Sequence, residues 1–168
     1  MFKIISTGMY LPKNLITNES FIRKFGPDPL EQVFDRIGHG ARYYSDKDES
    51  SATLAVNAGR EALHNAGLKP EDINLLIIST DTPAQLSPAT AAQVQHELGI
   101  KNSAGAFDVN CACAGFVTAV DMASKYLNGE EYKRAMVIGT YAMSKHLDHD
   151  DGNTAILFGD GAGAFILE

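Results

Sequence analysis

Residues 104–128, AGAFDVNCACAGFVTAVDMASKYLN, constrain the chain more tightly than any other stretch. Ala106-Phe107-Asp108-Val109 is a short apolar run of the kind that forms a buried strand. Asn110-Cys111-Ala112-Cys113-Ala114-Gly115 then turns sharply. From there a helical period takes over, with Phe116, Val120, Ala123 and Leu127 on one face and Asp121, Lys125 and Asn128 on the other. Cys113 is thereby set at the entry to a helix, where unpaired amides and the positive end of the helix dipole favour a nucleophilic sulfur. Ala112, Ala114 and Gly115 carry little bulk, which leaves room for a substrate carbonyl. Two readings follow from this local context: Cys113 is a nucleophile, or it is a small buried core residue like most intracellular cysteines. Cys111 reads as a packed neighbour, because a C-x-C pair is awkward for a local disulfide and supplies too few ligands for a metal.

The rest of the chain alternates strand and helix signals. Lys3 to Met9 is apolar and ends at Leu11-Pro12, a first strand. Asn18 caps a helix running to Phe25, and Pro29 to Ile37 is a second short helix. Residues 38–44 read as a glycine-bearing loop. Ala55, Ala58, Ala62 and Ala66 form the inner stripe of a helix over 51–66, closed by Gly67. Ile73 to Ser79 is a strand apolar enough to be covered on both faces. Ser87-Pro88 starts a helix that continues to Leu98. After the cysteine helix come a strand over 135–139, a polar loop over 144–153 and a last strand over 164–167. Such alternation predicts an α/β domain with a parallel-rich sheet and helices on both faces.

Composition narrows the function. A length of 168 residues supports one domain with a proper core. The net charge of −7 argues against a general nucleic-acid binder. No apolar run approaches the ~18–20 residues a membrane span needs, and the first residues lack a signal-peptide pattern. Two cysteines two positions apart fit a reducing cytosol. Gly159-Asp160-Gly161-Ala162-Gly163 leads into strand-like Ala164-Phe165-Ile166-Leu167, whereas a dinucleotide fingerprint must open a helix. A tight turn packed near the cysteine segment is the better reading. His39, His64, His96, His146 and His149 show no metal-ligand spacing.

DVNCACAGF with its small-residue helix, and ILFGDGAGAFILE further on, resemble the β-ketoacyl-acyl carrier protein synthase III family of the thiolase superfamily. The likeness continues in order through KIISTGMYLP, INLLIISTDTP and SPATAAQVQHELGIKNSAGAFDVN. It implies a thiolase-like half: a five-stranded mixed sheet in the order 3-2-1-4-5, the last strand antiparallel. Helices 51–66, 88–98 and 114–128 would cover both faces, the cysteine helix being the most buried. Cys113, not Cys111, would be the acyl-accepting residue. The acyl group would come from acyl-coenzyme A or an acyl-carrier protein, with no covalently bound cofactor, and the second substrate would be a malonyl-carrier protein. A homodimer would form by pairing of strand 106–109 across a two-fold axis.

The resemblance also marks what is absent. In the family a histidine and an asparagine stabilise the enolate and the thioester oxygen, and both come from a second half. No position in 1–168 matches them, so the chain reads as an N-terminal domain whose C-terminal half is missing. A tryptophan and an arginine commonly bracket the adenine of coenzyme A in the family. The tryptophan position holds Gln32, Arg36 remains, and a second basic position falls on Gly152 or Asn153. Two other function classes stand beside acyl transfer: a non-catalytic half that dimerises and supports a partner chain, and a thiol-redox protein, disfavoured by the C-x-C spacing.

Overall fold

The computed structural model describes residues 2–27, 30–101 and 103–168, with the backbone alone at 30–33. In chain order the elements are β1 (Ile4–Tyr10), β2 (Asn14–Thr17), α1 (Asn18–Phe25), α2 (Leu30–Ile37), β3 (Ala41–Tyr44) and α3 (Ser51–Ala66). Then follow β4 (Leu75–Ser79), α4 (Thr90–Leu98), β5 (Gly105–Val109), α5 (Gly115–Leu127), β6 (Ala135–Ala142) and β7 (Asp160–Leu167). Pro29, expected to open the second helix, lies outside the described residues.

Five strands make one mixed sheet in the order β1-β7-β6-β4-β5, in which β4 runs parallel to β5 and β6 while β7 is antiparallel to both its neighbours. Counted along the chain, the order is 3-2-4-5-1. The neighbours 3-2 and 4-5 and the antiparallel last strand are as expected; the first strand is not central but lies on the outer edge beside the last. Its residues explain the place. β4, LLIIS, is buried at every position and so belongs inside the sheet. β1, IISTGMY, buries only Ser6 and Gly8, on one face, as an edge strand can. Gly8 brings β1 so close to α3 that a Cβ there would collide with the backbone of Ala58 and Ala62.

Side-chain alternation divides the sheet into two faces. Leu76, Ile78, Met136, Ile138, Ala164 and Ile166 pack under α3 and α4, whereas Leu75, Ile77, Val137 and Leu167 pack under α5. Helices therefore cover both faces, as expected. The most buried is α3, with nine buried residues against four in α5, because α3 lies across three strands, β1, β7 and β6.

Two local expectations are corrected. Residues 41–44 are a strand, pairing antiparallel with β2. Arg42 holds this ribbon down: its buried guanidinium lies over the rings of Phe21 and Phe34 at 4.8 and 5.0 Å and donates to the Ile156 carbonyl at 2.7 Å. Burial pulls the Arg42 pKa below its ordinary value. The helix expected from Ser87-Pro88 begins at Thr90 instead. Its first amides are capped from outside the segment, by the Asp108 carboxylate of β5, which accepts from Thr90 N and Ala91 N at 2.7 Å each.

Candidate active site

The parallel strands β4, β5 and β6 all end on the same side of the sheet, and the crevice beyond such carboxyl ends is where open α/β sheets place their ligands. The chain leaves β5 at Val109, and Asn110 Oδ1 accepts from Ala112 N at 3.4 Å. Ala112 has φ 45°, a left-handed conformation that a residue with a Cβ seldom adopts and that costs on the order of 1–3 kcal/mol. A single 3-10 turn, Ala112–Ala114, follows, and α5 begins at Gly115. Gly115 has a steric reason to be glycine: a Cβ there would collide with Ser79 Oγ at the end of β4. The strained step and the close helix start together lift Cys113 to the rim of the crevice, where it is exposed.

Cys113, Ala112 and Phe116 form one wall of a cleft of about 580 Å³. Ser79, Thr80 and Asp81 continue the end of β4 along it, and Tyr141 and Phe158 stand opposite. Its floor is glycine. Gly139 of β6 pairs with Gly163 of β7, and Gly161 pairs with Tyr141, on the same sheet face as α5. A Cβ on Gly139 would press on the Phe116 ring at 3.1 Å, whereas a Cβ on Gly163 would meet nothing within 4 Å. The cleft is therefore open above Gly163. The glycine motif is not the expected turn: its residues 160–163 lie inside β7, and glycine serves there to keep the floor low.

The only carboxylate among the described lining residues is Asp81. Burial, then the Asp81 and Cys113 charges, push the Tyr141 phenol above its ordinary pKa, so it stays a neutral hydroxyl at working pH. Asp160 is buried next to the cleft, accepting from Ser144 N at 2.9 Å, from Ser144 Oγ and from Ser45 N at 2.7 Å, and so locks the start of β7 to two loops.

Cys113 is the one candidate that lines the cleft. Cys111 is exposed rather than packed, and it does not line the cleft. Arg36 is exposed in the last turn of α2, outside the cleft. The Gln32 side chain lies outside the described residues. A Cβ on Gly152 would meet the Phe25 ring at 3.2 Å, and Asn153 turns its amide onto Asp151. None of the five histidines lines the cleft, and no cluster able to hold a metal occurs among the described residues. Nor is any helix among them long and apolar enough to cross a membrane. Asp81, Tyr141 and Phe158 were not legible as site residues. Their one signal was position, just past the end of β4, in the last residues of β6 and just before β7.

Comparison with known proteins agrees with this geometry. Residues 107–168 match the family described as 3-oxoacyl-[acyl-carrier-protein (ACP)] synthase III. The chain is 44% identical over 165 residues to the β-ketoacyl-[acyl-carrier-protein] synthase III of Clostridium perfringens strain SM101, covering 98% of this chain and 50% of that protein. Among solved structures it is similar to 3-oxoacyl-[acyl-carrier-protein] synthase III from Aquifex aeolicus VF5, with TM-score 0.92, 39% identity, and coverage of 99% of this chain and 53% of that one. It is also similar to the priming β-ketosynthase of the R1128 polyketide biosynthetic pathway, with TM-score 0.92, 31% identity, and coverage of 99% and 49%. The chain spans about half the length of the curated relatives it matches.

Proposed function

From the chain's membership of the 3-oxoacyl-[acyl-carrier-protein] synthase III family, we propose that Cys113 is the acyl acceptor of a condensing acyltransferase. The observation that carries this reading is an exposed cysteine on the wall of a cleft, at the N-terminus of α5, with open space above Gly163. The donor is a thioester of coenzyme A or of an acyl-carrier protein. Cys113 Sγ attacks the thioester carbon, the amides of the first turn of α5 offer hydrogen bonds to the oxyanion, and the new C–S bond forms as the old one breaks. The departing thiolate takes up the proton that Cys113 gave up. A malonyl-carrier protein is the second substrate.

Incubation with acetyl- or hexanoyl-coenzyme A is expected to add one acyl mass to the chain, on the peptide carrying Cys113. An acyl group on Cys111, or none where iodoacetamide still labels both thiols, would overturn the assignment. Condensation is expected to be negligible with the 168 residues alone. The enolate left by decarboxylation needs donors, and no histidine is among the described residues that line the cleft. Rapid ketoacyl product from the isolated chain would refute this.

Assembly through β5 is part of the same proposal. Gly105 N donates to Asn74 O at 3.0 Å and Val109 O accepts from Thr80 N at 3.1 Å, so alternate backbone groups face β4. Those of Ala106 and Asp108 face the open edge. An edge without lysine or proline invites pairing with a second copy across a two-fold axis. Light scattering at micromolar concentration should give a dimer, and Ala106→Pro, which deletes an outward amide only, should give a monomer with an unchanged circular-dichroism spectrum. A wild-type chain that is monomeric would sink the pairing.

A further inference from the structure

We propose that Glu61 and Asn65 of α3 together stand in for one residue of a neighbouring strand, and so keep a second copy of this chain off the β1 edge of the sheet. The sheet has two edges, β1 and β5. Ala106 and Asp108 leave the β5 edge open. The sequence of β1, IISTGMY, gives its own edge little protection: it holds no proline or lysine, and Ile4 and Met9 are exposed. A shift in register between Ile4 and Ser6 disrupts the first residues, but from Ser6 to Tyr10 the strand is regular. Left bare, that stretch would pair with any other edge.

It is not bare. Gly8 admits α3 so closely that Ser6 Oγ donates to the Ala62 carbonyl at 2.8 Å. Glu61 and Asn65, exposed and one helical turn apart, reach from α3 to the strand. Glu61 Oε2 accepts from Met9 N, and Asn65 Nδ2 donates to the Thr7 carbonyl at 2.9 Å. In a parallel ladder one residue of an incoming strand makes this same pair of bonds, accepting from one amide and donating to the carbonyl two residues before it. An antiparallel partner would need both groups as well. Either geometry therefore meets an occupied edge opposite Gly8. The cover decides how assembly ends. A chain with one open edge closes as a two-fold pair, whereas a chain with two goes on adding copies. Closure as a dimer rests on the β5 pairing proposed above; the cover over β1 does not.

The test uses the whole chain in four forms: wild type, Ala106→Pro, and each of these with Glu61→Ala and Asn65→Ala added. Alanine is the best helix former, so these exposed helical positions tolerate it and the circular-dichroism spectrum should hold. Sedimentation velocity over the micromolar range reads the mass. With β5 blocked by Ala106→Pro, the two alanines should raise the weight-average mass roughly twofold or more; with β5 open, they should carry the chain past the dimer. Met9→Pro, which removes the outward amide of an edge strand, should cancel the gain, and Glu61→Gln, which keeps an acceptor, should produce none. Alanine variants that match their parents in mass at every concentration, or a gain that survives Met9→Pro, would overturn the proposal. A monomeric wild type beside an associating alanine variant would uphold the cover and refute the β5 pairing instead. If Met9→Pro lacks a cooperative thermal transition, hydrogen exchange in the Ala106→Pro background decides. There the Met9 amide should exchange roughly tenfold faster once Glu61→Ala is added, and an unchanged rate would refute the cover.

Discussion

Cys113→Ser is expected to abolish acyl transfer from thioesters, by roughly a thousandfold or more, while Cys111→Ser stays within about twofold of the wild type. Exposure does not separate the two thiols, since both are open to solvent. Position does. Cys113 lines the cleft and stands one residue from the first turn of α5, whose amides have no side-chain cap. Cys111 precedes the strained Ala112 step and does not line the cleft. An acyl carbonyl seated in the cleft therefore meets the Cys113 sulfur close to the positive end of α5, and a serine hydroxyl there is far less nucleophilic without a general base. Intact-protein mass spectrometry reads the acyl adduct directly. Iodoacetamide should also label Cys113 several-fold faster than Cys111 in the folded chain, and lose that preference in urea. Equal labelling in the folded state, or acyl transfer that survives Cys113→Ser, would refute the assignment.

Asp108→Ala should destabilise the domain by about 2–4 kcal/mol. The half-buried carboxylate takes two short hydrogen bonds from the start of α4 and adds a negative charge at the positive end of that helix. Alanine leaves both amides without an acceptor. Asp108→Asn keeps one carbonyl oxygen and should lose about half as much. In a domain of this size the alanine variant should melt roughly 5–15 °C lower. A loss below about 0.5 kcal/mol in urea titration would show that water replaces the cap. Asp108 lies in the strand that leads to Cys113, so the acylation rate should fall along with stability.

Local order was legible in the residues themselves. The alanine stripe of α3, the all-apolar β4 and the helical period after Gly115 each depend on neighbours one to four positions apart, and each element formed where its pattern lay. The place of Cys113 between strand and helix was legible for the same reason, because a strand, a tight small-residue turn and a helix are local events; its role was left open by those residues and singled out only by the family resemblance. Tertiary structure decided what lies between elements. β1 went to the outer edge because β7 returns beside β6 and leaves β1 only the far side of β7. Residues 41–44 became a strand because β2 and the buried Arg42 hold them, the latter through Ile156, 114 positions away. The cap of α4 came from Asp108 rather than Ser87, and the wall of the cleft from Tyr141 and Phe158. In every one of these the deciding partner is distant along the chain. A period in the sequence says which face of an element will be buried, but only the packed sheet says what that face will meet.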